Sequence, residues 1–245
     1  MKTWEQLRDM EMSVLQWVDD VATFAIGETQ QIYTIDQVNE FAIKHKLKWG
    51  REKCNVMEVG RGKYVKRKWS LGKMEIDSCD EYKYLGDVIM RNGSNKRNIE
   101  EREIKVMTAT RKIIALSRDN VLKKIQLKAL MKMHESCTSA TLLTNCETWI
   151  LNKGEREKLS KIELWALKKI LKVPVTTPTP AIWYLTGLLM TPINIDKRQL
   201  TFLKTILDRP TDDWTPTSWD RISQQASWKN AVITATEQRN SVCNL

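Results

Sequence analysis

The hydrophobic period of this chain changes once, near Gly93, and that change constrains the fold more than any other feature. Upstream of it, short β-prone runs broken by turn residues predict an α+β region; downstream, apolar residues recur only at helical spacing, which predicts an all-α region. Residues 14–16 and 21–25 flank Asp19-Asp20, predicting a hairpin whose tip carries two carboxylates. A helix follows Glu28, with Ile32, Ile35, Val38 and Ala42 on its apolar face, and ends before Trp49-Gly50. Residues 54–59, 64–69 and 82–90 read as strands, separated by Gly60-Arg61-Gly62 and Leu71-Gly72 and closed by Arg91-Asn92-Gly93. Beyond Gly93, Ile99, Val106, Met107, Thr110, Ile113 and Ile114 share one helix face, and Leu122, Ile125, Ala129, Met133 and Cys137 share the next. Beside the second face runs a cationic row of Lys124, Lys128 and Lys132, of the kind that usually only solvates a helix. A third helix starts at Asn152, capped with help from Glu155, and buries Leu159, Ile162, Ala166 and Ile170 until Pro174. Shorter helices are predicted over 181–190, after Pro192 and over 218–236.

Composition narrows the function classes. The opening Met1-Lys2-Thr3-Trp4-Glu5-Gln6 is too polar for a secretory signal, and the longest nearly apolar stretch, 181–190, is too short to span a bilayer. A soluble, intracellular protein is expected. The five cysteines are odd in number and lack a Cys-x-x-Cys pair, so they read as free thiols in a reducing compartment. With two histidines, acid–base work falls to carboxylates and lysines.

The net charge of +10 is concentrated in one place: between Lys44 and Lys73 eleven Lys and Arg face only Glu52 and Glu58. Trp49, Tyr64 and Trp69 are interleaved there, a composition that suits a phosphate-backbone groove. A solvated hairpin face stands beside that reading with equal weight.

The sharpest chemical feature is Trp17-Val18-Asp19-Asp20-Val21. Adjacent carboxylates at a tight turn repel each other unless a cation sits with them, and magnesium is the usual cation in phosphoryl transfer. The chain's other doublet, Asp212-Asp213-Trp214, lies between Pro210 and Pro216, where turn or cap duty explains it. For Asp19-Asp20 taken alone, turn duty and metal binding both stay open.

The order of the blocks that follow adds to this. Leu15-Gln16-Trp17-Val18-Asp19-Asp20-Val21-Ala22 precedes His45-Lys46-Leu47-Lys48-Trp49-Gly50-Arg51-Glu52-Lys53-Cys54-Asn55-Val56-Met57. Tyr82-Lys83-Tyr84-Leu85-Gly86 comes next, then Cys146-Glu147-Thr148-Trp149 and the segment 171–189. Taken in this order, nearly end to end, the sequence resembles reverse transcriptases of non-LTR retrotransposons. The blocks look like the Tyr-Ala-Asp-Asp catalytic hairpin with Trp17 in place of tyrosine, the lysine-bearing motif, the primer-grip hairpin and the thumb with its following region.

The resemblance implies a partial palm over 1–93 with a small antiparallel β region, a helical thumb over 94–174 and a post-thumb helical tail over 175–245. It implies that Asp19 binds catalytic Mg2+ and Asp20 supports it, that Trp17 lies near the primer terminus, and that Lys53 gives a proton or positive charge to departing pyrophosphate. For Lys53, membership of a basic run is an equally good account. Tyr84 and Leu85 would press on the primer, and Gly86 would let backbone come close, though ordinary hairpin packing also explains the tripeptide. Lys66, Arg67 and Lys68 are the candidate phosphate contacts. Expected partners are an RNA template, a DNA primer and the missing N-terminal half of the polymerase. Another essential aspartate of the family lies well upstream of the hairpin, and eighteen residues precede Asp19 here. These residues alone are therefore expected not to copy nucleic acid. The alternatives are a basic nucleic-acid-binding module without chemistry and an incompletely folded remnant of an element.

Overall fold

The structure, a computed structural model, describes residues 14–17, 20–60, 65–118 and 126–209. The fold is α+β, and the chain divides into two compact units, Met1–Ser94 and Asn95–Leu245.

In the first unit, β1 (Val14–Trp17) and β2 (Asp20–Thr23) form an antiparallel hairpin, with Trp17 opposite Asp20. Helix α1 (Glu28–Lys44) follows. A 3-10 turn (Arg51–Lys53) leads into β3 (Asn55–Val56), and a two-residue turn joins β4 (Lys68–Leu71) to β5 (Met74–Ser78). β4 and β5 alternate strictly, with Trp69, Leu71, Ile76 and Ser78 inward and Lys68, Ser70, Glu75 and Asp77 outward. Their inward side chains meet Ile35 of α1 and Val56 of β3 to make the core of this unit. Ser78 completes it by accepting the Trp69 indole N–H at 3.0 Å, so that the buried donor is satisfied.

The expectation of a purely antiparallel β region is corrected here. The sheet order is β3-β5-β4, and β3 pairs with β5 in parallel. β4 pairs with one edge of β5 through a tight antiparallel hairpin, which leaves the other edge of β5 for β3. The strand Met74–Ser78 is absent from the sequence reading although its alternation of Met, Glu, Ile, Asp and Ser is a strand signature. Ile32, expected on the inner face of α1, is 49% exposed, whereas Thr34 and Ile35 are buried. The span 82–90, which the residue pattern reads as a strand and the resemblance as a hairpin at Tyr82–Gly86, is a hairpin of β6 (Glu81–Tyr84) and β7 (Asp87–Met90).

The second unit is helical. α2 (Lys96–Arg118), α3 (Leu127–Met133), a π-helical turn (His134–Ser139), α4 (Ala140–Leu143), a 3-10 turn (Cys146–Thr148), α5 (Lys153–Leu171), α6 (Thr179–Thr186) and α7 (Thr191–Leu207) succeed one another. α5 is the central helix and packs against α2, α7 and the π turn. Ile99 and Val106 share a core cluster with Leu159 and Ile162, and Ile113 shares another with Leu167 and Ile170, so α2 and α5 run side by side in the same direction, joined by the ion pair of Lys158 with Glu103. Bonds from Arg156 to Asp196 and from Thr191 to Glu163 set α7 against α5 in the opposite direction.

The capping box expected at Asn152 forms: its side chain accepts the Glu155 N–H, and the Glu155 carboxylate accepts the Asn152 N–H, each at 2.9 Å. Leu159, Ile162, Ala166 and Ile170 are buried as the spacing predicts. The face predicted for the second helix is out of phase. Met131, His134 and Thr138 are buried while Ala129 and Cys137 are exposed; the shift is already present before the π turn, and two of the inward residues are polar, so an apolar pattern does not find this face. Lys132 pairs with Glu135 at 3.2 Å and Lys128 is exposed, whereas Leu122, Lys124 and Ile125 lie outside the described residues. So does the helix expected over 218–236. Among the described residues no helix is long and apolar enough to cross a membrane.

Candidate functional site

The candidate site belongs to the first unit. Asp20 opens β2 and is exposed, while Asp19 lies outside the described residues. Lys53 ends the 3-10 turn Arg51–Lys53; its side chain is exposed, and among the described residues its ammonium makes no ion pair. Its main-chain carbonyl accepts a hydrogen bond from the Tyr82 hydroxyl at 2.7 Å. Tyr82 is half-buried on β6, and burial chiefly pushes its hydroxyl pKa up, with electrostatic repulsion of the phenolate by Cys54, Asp20, Cys79 and Tyr84 adding to the effect. The Tyr82 phenol thus ties the hairpin β6–β7 to the lysine turn, although the sequence marks it only as part of a motif.

Tyr84 ends β6 opposite Asp87, and the two-residue turn between them is made by Leu85 and Gly86. Both take positive φ, 46° and 92°, the pattern of a type I′ turn that matches the twist of the paired strands. Among the described residues, its chain neighbours apart, nothing lies within 4 Å of a Cβ added at Gly86, so its backbone conformation is what asks for glycine there. Gly86→Ala should destabilise the first unit by about 1–2 kcal/mol through left-handed strain, read as a lower urea midpoint. An unchanged midpoint would show that the turn relaxes without cost.

The basic run is partly neutralised by its own fold. Arg67 pairs with Glu28 and lies 3.7 Å from Glu58, and these contacts, led by the hydrogen bond to Glu28, raise its pKa. Across β4 and β5, Lys68 meets Glu75 at 2.9 Å; that hydrogen bond chiefly raises the lysine pKa and lowers that of the carboxylate. Lys66 is exposed and has no acidic partner among the described residues. Glu28 and Glu75 escaped the sequence reading because one precedes the basic block and the other faces it only through strand pairing.

No family model, curated protein or solved structure matches this chain. The site must be judged on its own chemistry. Among the described residues no three His, Cys, Asp or Glu side chains come together as a metal cage. At the hairpin the described residues supply one carboxylate, Asp20, which is too few oxygens to clamp two magnesium ions. Among the described residues the first unit presents the Lys53 ammonium without an ion pair, the exposed Asp20 carboxylate, a turn with exposed Leu85, and Lys66 without an acidic partner.

Proposed function

We propose that this chain is the palm-to-thumb part of a retrotransposon-type reverse transcriptase, and that these 245 residues alone bind a primer–template duplex without extending it. The observation that carries this reading is the bond that joins two of the sequence motifs: the Tyr82 hydroxyl, on the hairpin that turns at Leu85-Gly86, donates to the Lys53 carbonyl. Asp19 and Asp20 would take part in holding Mg2+, which in an intact polymerase neutralises the charge developing on the transferred phosphoryl group. Within this chain Lys53 would meet phosphate, Lys66 would contact the duplex backbone, and Trp17, Tyr84, Leu85 and Gly86 would lie along the primer. Arg67 and Lys68 would contribute less, because Glu28 and Glu75 already compensate them.

Fluorescence anisotropy with an RNA template annealed to a DNA primer tests the binding. Affinity should fall steeply with salt, and Lys66→Ala should lower the slope of log K against log salt by about 1. Lys68→Ala should lower it by less. Salt-independent binding, or equal effects of the two substitutions, would count against the proposed interface. A second reading, a basic nucleic-acid-binding module without chemistry, is favoured by the concentration of charge between Lys44 and Lys73. The two part when a polypeptide supplying the family's upstream aspartate motif is added with Mg2+: primer extension that disappears in Asp19→Ala supports the polymerase, and its continued absence supports the module.

A further inference from the structure

The geometry points to Tyr82 as a positioning residue that sets where the Lys53 ammonium meets phosphate. The claim rests on the phosphate-facing role given to Lys53 above. Lys53 is the last residue of a three-residue 3-10 turn, an element too short to hold a side chain steady by its own hydrogen bonds. The 2.7 Å bond from the Tyr82 hydroxyl to the Lys53 carbonyl fastens the end of that turn to β6, which is itself paired with β7 over Glu81–Met90 and Tyr84–Asp87. The bond spans 29 residues of sequence, so it joins two motifs that the chain alone would leave independent. A donor that kept its proton is needed, and the surroundings favour this. Burial comes first, then Cys54 beside β3, Asp20 of β2, Cys79 after β5 and Tyr84 of the same strand, all of which disfavour the phenolate.

Reductive labelling with pyridoxal phosphate tests the idea on the intact chain. The aldehyde condenses with a lysine amine, water leaves, and borohydride reduces the imine; peptide mass spectrometry then reports which lysine reacted. In the wild type, Lys53 should be labelled faster than Lys66 and Lys73, and inorganic pyrophosphate should protect it. In Tyr82→Phe the pyrophosphate concentration needed for protection should rise about fivefold, the consequence of one lost neutral hydrogen bond, while labelling of Lys66 and Lys73 stays unchanged and the variant remains folded at the assay temperature. Equal protection in Tyr82→Phe and wild type overturns the positioning role. Absence of any pyrophosphate protection in the wild type overturns instead the phosphate-facing reading of Lys53. Should Tyr82→Phe fail to fold, 3,5-difluorotyrosine at position 82 serves in its place: its more acidic hydroxyl should lose protection of Lys53 at a lower pH than the wild type, and coincident pH profiles would overturn the proposal.

Discussion

Glu163→Ala is expected to destabilise the helical unit by about 3–5 kcal/mol, enough to unfold a marginal domain. Glu163 is 3% exposed in the middle of α5 and serves two other elements at once. Its Oε1 lies 3.3 Å from His134 Nε2 on the π turn, and its Oε2 accepts the Thr191 hydroxyl at the start of α7. His134 and Thr191 are fully buried, so removing the carboxylate leaves two polar groups without partners and a void beside them. Glu163→Gln keeps the volume and one acceptor, and should cost less than half as much. Urea unfolding monitored by far-UV circular dichroism measures both. A loss below about 1 kcal/mol for the alanine variant would mean that water replaces the carboxylate and that the network is not the tie it resembles.

Trp149→Ala is the second large effect, about 3–5 kcal/mol. The Cys146-Glu147-Thr148-Trp149 block makes a 3-10 turn that sends two of its side chains into the helical core, with Cys146 fully buried and Trp149 5% exposed. Burial pushes the Cys146 thiol pKa up to about 12, so it stays an inert apolar group. The Arg102 guanidinium lies over the Trp149 ring, 5.5 Å from its centre, and Gln199 donates to the carbonyls of Cys146 at 3.2 Å and Trp149 at 2.9 Å. Arg198 adds a bond to the Leu143 carbonyl at 2.9 Å. A base-stacking tryptophan would instead be exposed, and its removal would weaken nucleic-acid binding with little effect on folding. The structure therefore predicts a lowered thermal midpoint for Trp149→Ala, with duplex affinity unchanged at temperatures where the variant remains folded. The opposite pattern would move Trp149 from core to interface.

The sequence was most legible where one physical rule acted alone. The capping box at Asn152 and the inward row from Leu159 to Ile170 follow from local hydrogen bonding and helical period, and both are present. Reading failed where polar residues point inward. His134, Thr138 and Glu163 are buried because they meet other polar or packed groups from distant helices, and no local pattern announces such a pairing. The strand Met74–Ser78 was hidden by its two acids, which face outward and answer the basic run across the sheet. At the candidate site the motifs are visible one by one, but the tie of Tyr82 to Lys53 is visible only through a bond across 29 residues.

The π turn at His134–Ser139 gives the helical unit an unusual tolerance to length change. A π turn holds one residue more than the α-helix around it requires, so deleting a single residue there lets the segment relax to α geometry while Leu142 and Leu143 keep their inward facing. The same deletion made within α5 would rotate every following side chain by about 100° and expel Leu167 and Ile170 from the core. Related chains one residue shorter in this unit are thus expected to carry the gap between His134 and Ser139, and to be recognisable by an uninterrupted α-helix at that point.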